Sequence, residues 1–210
     1  MKKILKRILV VLVILVMGVG IYAGVLIALD REPIISEVHA SYIIDMYDLD
    51  VITGFVDHVF VGRVVRNAGT VSIDGSPFTN YEVEVLEVIK GDLMPGVVVP
   101  VEKWGGPILH WLVFLLNRGR IPYLVRENDS LPQTDNIYVF RASTGEDGSM
   151  LLAGPNSNNL LIENAEVAGG IVPQAAYSDY YAAAIEAYEN EVLFERERFP
   201  TPAEFRAPQE

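Results

Sequence analysis

The sequence predicts a mainly β (α+β) protein with an N-terminal transmembrane helix, a small β-barrel and a C-terminal amphipathic helix. Three observations predict this class. Ile8 to Leu29 contains no charged residue. From residue 59 onward, short β-rich runs alternate with turn residues. Near the end, "SDYYAAAIEAYENEVLFERERFP" places apolar residues at helical spacing. The boundaries that follow are an anchor over 1–30, a linker over 31–58, the barrel over 59–175, the helix over 176–199 and a disordered tail over 200–210.

A helix from Ile8 to Leu29 rises about 33 Å, enough for a hydrocarbon core of roughly 30 Å. Lys2, Lys3, Lys6 and Arg7 precede it and Asp30-Arg31-Glu32 follows. The positive-inside rule therefore predicts a single-pass cell-membrane protein with a cytoplasmic N-terminus and an extracytoplasmic C-terminal domain. A cleaved signal peptide, releasing a secreted chain, is the competing reading. Against it, the apolar run exceeds the usual 7–15 or so residues, and Ile21-Tyr22-Ala23 is a mediocre small-x-small cleavage site.

All 28 Asp and Glu lie at or beyond Asp30, so the exported part carries 12 basic and 28 acidic side chains, a formal net charge of −16. Such a surface repels phosphate backbones, and no nucleic-acid partner is expected. The chain has no cysteine, which excludes disulfides, thiolate metal sites and a Cys nucleophile.

The linker should contain short helical turns, because Tyr47, Val51 and Phe55 fall at i, i+4, i+8 after a string of Asp residues suited to a helix start. "VFVGRVV" at 59–65 is a strand interrupted by Gly62, and "NAGTVSIDGSP" carries turn residues. The partner strand, "YEVEVLEVIKGDLMPG" at 81–96, breaks its own period. Tyr81, Val83 and Val85 alternate with Glu82 and Glu84, but from Leu86 the apolar residues occupy even positions. An extra residue at a β-bulge flips the phase in this way and bends the strand. Bent strands suit a small barrel, in which one strand serves both halves of the wall. A flat two-sheet sandwich is the alternative. "VVVPVEKWGG" should be another strand, its Pro100 marking an edge or a bulge. "NIYVFRAS" and "MLLAG" form a hairpin whose Asp147-Gly148 favours positive φ. In the terminal helix Ser178 can cap, Tyr181, Ile185, Tyr188 and Val192 form the apolar stripe, Arg196 and Arg198 favour the C-terminal dipole, and Pro200 stops it.

The ordered set "FVGRVV…YEVEVLEVIKGDLMPG…VEKWGG…DSLPQTDNIYVFRAS…EDGSMLLAGPNSN", with "YENEV…RERF" at the end, resembles a group of uncharacterised, membrane-anchored extracytoplasmic proteins of Gram-positive bacteria. The strand pair ending in "KG" also resembles the netrin-like, tissue-inhibitor type of OB barrel, a likeness of fold alone. The resemblance implies an OB-like/netrin-like barrel outside the membrane. The inhibitors' mechanism, an N-terminal Cys on a protease zinc, has no counterpart in a chain without cysteine.

No catalytic constellation stands out, and no cofactor or metal is expected. His39 lies near Asp45, and His58 follows Asp57; a metal site would need both with Asp48 or Asp50, and neither HExxH nor His-x-His spacing is present. His110, between Leu109 and Trp111, is expected to be packed. Neither GxSxG nor Ser-x-x-Lys occurs. Glu82 and Glu84 share a strand face that is expected to be solvated, unlike a glycosidase pair flanking a cleft. "GPNSNN" offers Asn156, Asn158 and Asn159 to a sugar or peptide, although such runs are more often turns with local amide bonds. These features predict a non-catalytic binding or scaffold module of the bacterial cell envelope. The alternative is a cell-envelope hydrolase whose residues converge only in space.

"ILHWLVFLL" at 108–116 fits a small barrel badly, since both alternating faces are apolar. A fully buried strand is one reading. The other is a projecting loop, framed by Gly105-Gly106-Pro107 and Asn117-Arg118-Gly119-Arg120. On that reading Trp111, Leu112, Phe114, Arg118, Arg120 and Tyr123 form a contact surface for lipid or an envelope protein, because aromatic and arginine side chains settle at membrane interfaces.

Overall fold

The computed structural model describes residues 2–28, 34–108, 110–117, 120–165 and 179–208. In chain order the elements are α1 (Lys2–Ala28), β1 (Ile34–Val38), α2 (Leu49–Phe55), β2 (His58–Ile73), β3 (Ser76–Lys90), β4 (Val98–Trp104) and β5 (Gly106–Pro107). They continue with α3 (Trp111–Leu116), β6 (Pro122–Arg126), β7 (Ile137–Thr144), β8 (Met150–Leu152), β9 (Asn158–Ile162), α4 (Asp179–Glu189) and a 3₁₀ turn at Ala203–Phe205. The class is mainly β with few helices, as expected, in two sheets rather than one. The chain divides into two compact units, Met1–Ser36 with Pro107–Tyr123 and Glu37–Gly106 with Leu124–Glu210.

In the first unit α1 is a single helix. Leu12, Val13, Ile14 and Leu15 point in four directions about 100° apart and are 57, 47, 60 and 63 % exposed, so no side of this stretch packs on protein. Among the described residues no helix is long and apolar enough to cross a membrane. The side chains of α1 are described without a break only from Lys6 to Tyr22, a rise of about 26 Å.

In the second unit a six-stranded sheet runs β2-β3-β4-β8-β7-β9, and β2 also pairs with β7. All of these pairings are antiparallel except β4–β8. A smaller sheet is ordered β1-β6-β5. The β2–β3 hairpin turns on Asp74-Gly75 alone, with φ of 50° and 80°, the positive values that a two-residue hairpin demands. "NAGTVSI" is therefore strand, not turn as expected; β2 absorbs its extra residues at register shifts between Val64/Arg66 and Asn67/Gly69. The phase flip is a bulge at the expected place. Val61 faces Glu87 and Gly62 faces Val85, leaving Leu86 as the additional residue. Before the bulge, Tyr81, Val83 and Val85 are buried; after it, every residue to Lys90 is half-buried. Pro100 is exposed and lies just before the β4–β8 pairing starts at Val101, so its missing N–H costs that ladder nothing.

Two apolar cores flank the sheet. The first joins Phe60, Val64, Tyr81, Val83, Val85, Val99, Val101, Phe140 and Met150, with Phe60 and Phe140 stacked at 5.4 Å. The second lies between the sheet and the helices and joins Met46, Ile52, Val56, Val59, Val139 and Ala184. In the expected linker the region that folds as helix is α2. Asp48 caps it by accepting from the Asp50 and Val51 amides, and β1 is a strand that sequence patterning did not anticipate. The exposed Asp45 and Asp48 side chains thus close a turn and cap α2.

The terminal helix is shorter than expected, and the expected cap Ser178 lies outside the described residues. It buries Ala184 and Ala187 between half-buried Tyr181 and Ile185, while Tyr188 and Val192 are exposed. Small alanines let the helix approach closely, which moves the inward face away from the expected stripe. After Glu189 the chain leaves helical geometry because its later polar groups have partners elsewhere. The Val192 amide donates to Asp50 O, Arg196 Nε to Phe55 O at 2.7 Å, and Arg198 to Val56 O and Gly54 O at 3.1 and 3.0 Å. These arginines therefore satisfy the last carbonyls of α2 instead of their own helix. Gly54 is required there, since a Cβ would sit 1.8 Å from Val192 O. The tail expected to be disordered is docked: Leu93 bridges Arg206, the Ala207 amide donates to Asp92 O, and Thr201 is buried.

Gly62 sits where β2 bends against the bulge, and a Cβ there would meet Val83, Phe60 and Phe140 at 2.6, 3.0 and 3.1 Å. Gly62→Ala is expected to destabilise the fold by about 1–3 kcal/mol in urea unfolding. In Gly62→Ala/Val83→Ala the loss should be smaller than the sum of the two single losses.

Candidate functional site

The expected contact surface is in the first unit. Residues 111–116 form α3, one and a half turns of helix, and neither the buried strand nor the loop expected there. Leu112 and Leu116, four residues apart and so on one face, are 44 and 74 % exposed; Ile121 is 37 % exposed. Phe114 and Tyr123 are half-buried, and Arg120 is exposed. Trp111 opens the helix with its side chain outside the described set, and Arg118 lies outside the described residues. His110 is exposed, where a packed residue was expected.

The second unit holds a polar cluster that sequence reading missed. Lys103, in "VEKW", is 1 % exposed and its Nζ lies 2.7 Å from Asp129 Oδ1. It also donates to Asn158 Oδ1, to Ser157 Oγ at 3.0 Å and to Gly154 O at 3.3 Å. Burial pushes the Lys103 ammonium below its ordinary range, and the Asp129 charge opposes that shift. Asn158 Nδ2 donates to Ser130 O, Asn156 Nδ2 to Met46 O and Asn159 Nδ2 to Asn156 Oδ1. The Asn159–Asn156 bond is a local one of the kind expected, while Asn156 and Asn158 also join segments distant in sequence. Arg141 donates to Asn156 O and Asn159 Oδ1, and burial pushes it down to about 10. Arg126 lies over the rings of Trp104 and Tyr42 at 5.1 and 5.6 Å.

A serine and a lysine at hydrogen-bonding distance can make an activated nucleophile. Here Ser157 is 1 % exposed and donates to Gly154 O, while the lysine ammonium is held by Asp129 and three further acceptors. The cluster is built as a clasp between β4, the 129–130 loop and the start of β9.

Around His58 a second network ties down the chain end. Its Nε2 faces Thr144 Oγ1 at 3.0 Å and Thr201 Oγ1 at 3.2 Å, and Nδ1 lies 4.0 Å from Asp92 Oδ1. Gly91, at φ +99°, leaves room for the ring, since a Cβ would come within 2.2 Å of Nδ1. Burial lowers the His58 basicity, opposed by Asp92 and Asp57 and reinforced by Lys90. Asp57 is pushed up by burial, but bonds from Arg196, the Thr144 amide and Arg198 outweigh this and hold its carboxyl below the usual range. His39 pairs with Glu127 at 2.9 Å instead of approaching Asp45. Glu84 and Glu82 face Arg63 and Arg66 across β2–β3, so they form cross-strand ion pairs rather than a bare solvated face. Among the described residues no group of three His, Asp or Glu is placed to hold a metal ion.

No protein-family model, characterised protein or solved structure matches the chain.

Two outcomes test these networks. Lys103→Met or Asp129→Asn alone should cost about 3–5 kcal/mol in urea unfolding, because each strands a buried polar partner. Lys103→Met/Asp129→Leu should cost less than either single change. For His58 the folded imidazole is less basic than the unfolded one at 6.5, so its contribution is complete above pH 6.5 and is lost as pH falls below it. The unfolding midpoint should fall between pH 7.5 and 5.5, and His58→Gln should flatten that slope.

Proposed function

We propose that the chain is a membrane-anchored, extracytoplasmic, non-catalytic binding or scaffold module. The observation that carries this reading is the surface of α1, uncharged and exposed on every side from Ile8 to Tyr22. A helix apolar all round, with no protein packed on it, is at home in lipid. Four basic residues before it, against Arg31 as the only lysine or arginine in the twenty residues after it, support an orientation with the N-terminus in the cytoplasm.

The second unit is the exported module, and its finer fold on this reading is an OB-like barrel. Pairing passes β2-β3-β4-β8-β7 and back to β2, an order that supports a five-stranded Greek-key wall. The join at β8 is short, three residues paired to β4 and two to β7. The buried polar side chains are spent on holding segments together, which supports a scaffold over a hydrolase.

Alkaline carbonate extraction should leave the full chain in the membrane, and protease added to intact cells should remove the C-terminal unit. A mature protein starting near Gly24 and free of the membrane would sink the anchor. A hydrolytic activity abolished by Ser157→Ala with the fold intact would overturn the non-catalytic reading.

A further inference from the structure

Charge is distributed unevenly along the exported chain. Between Glu102 and Glu127 there is no carboxylate, and no other interval after Asp30 is as long. That interval carries Lys103, Arg118, Arg120 and Arg126. Within it α3 presents Leu112 and Leu116 outward, followed by exposed Arg120 and Ile121. Pro107–Tyr123 and Met1–Ser36 fall in one compact unit, apart from the six-stranded sheet.

We propose that α3 and the residues just after it are a second, shallow membrane contact, with Leu112, Leu116 and Ile121 at the acyl–headgroup boundary and Arg120 on anionic headgroups. The inference rests on the anchored reading above. Six residues of helix rise about 9 Å, so α3 lies in the interface rather than crossing it. Charge complementarity selects the occupant. An acidic body held close to an anionic leaflet is repelled within a Debye length of about 8 Å, and its carboxylate-free stretch is the part that approaches without that penalty. Long arginine side chains reach headgroups while their stems stay with the apolar layer. A protein partner buried in the bilayer has no counterpart in this charge pattern.

The chain has two tryptophans, so Trp104→Phe leaves Trp111 as the sole reporter. Full-length protein carrying that change is reconstituted into phosphatidylglycerol–phosphatidylcholine vesicles bearing nitroxide at acyl carbon 5 or carbon 12. We expect Trp111 emission to be quenched at least twofold more strongly by the carbon-5 label. Leu112→Ser/Leu116→Ser, at exposed positions, should reduce that quenching at least twofold without altering the circular dichroism spectrum. Vesicles that float with bound protein while neither label quenches Trp111 would overturn the contact and leave the anchor standing. Protection of Trp111 from iodide without lipid quenching would point to a protein contact and overturn it equally. Protein that fails to float with the vesicles would overturn the anchor and this contact together.

Discussion

At Gly62 the space that a side chain would fill is already taken by Val83, Phe60 and Phe140. The absence of a Cβ lets β2 pass close over its own core opposite the Leu86 bulge in β3. That approach is the constraint on which the second unit depends. β2 is bonded to β3 along one side and to β7 along the other. A strand with two neighbours must bend if those neighbours are to curl toward one another, and a bulge opposite a glycine supplies the bend locally. The apolar cores on the two faces then follow from strand alternation: Phe60 and Val64 face one, Val59 the other.

Much of this was legible because it is local. The Leu86 phase change and the Asp147-Gly148 turn, with positive φ at Gly148, are short-range signals. The acidic start of α2 belongs to the same kind. What escaped depends on residues far apart. Lys103 in "VEKW" has the pattern of an edge residue, and Asp129 in "NDS" that of a surface loop. Only their meeting makes an ion pair that burial can tolerate. Arg196 and Arg198 fit the end of a long helix by spacing, yet the carbonyls they serve belong to α2. The helical form of 111–116 was not foreseen, since a run apolar on all sides has no period to read.

The polar interior has a common logic. Inward-facing charges are met by an opposite charge or by an oxygen acceptor: Lys103 by Asp129, Asp57 by two arginines, and Nη1 of Arg141 by two asparagine oxygens, while Arg141 Nε and Nη2 are buried without a hydrogen-bond partner. Such contacts are directional where apolar packing is not. They set the chain paths of the 129–130 loop, the turn before β9 and the segment after α4, none of which has a regular ladder over its full length to hold it.

The clasp on Asp57 also has a kinetic meaning. Its arginine partners lie well over a hundred residues later, as do Thr201 and Arg206, which reach back to Asp92. During synthesis the early strands wait, with a carboxylate at their base unmatched, until Arg196 and Arg198 have been made. Loop closure over such a span comes late, so the sheet assembles first and is locked last. A chain cut short anywhere between α4 and Arg196 keeps every strand of the six-stranded sheet yet lacks the groups that neutralise its buried acid. Such a chain carries its own mark of incompleteness for a protease to find.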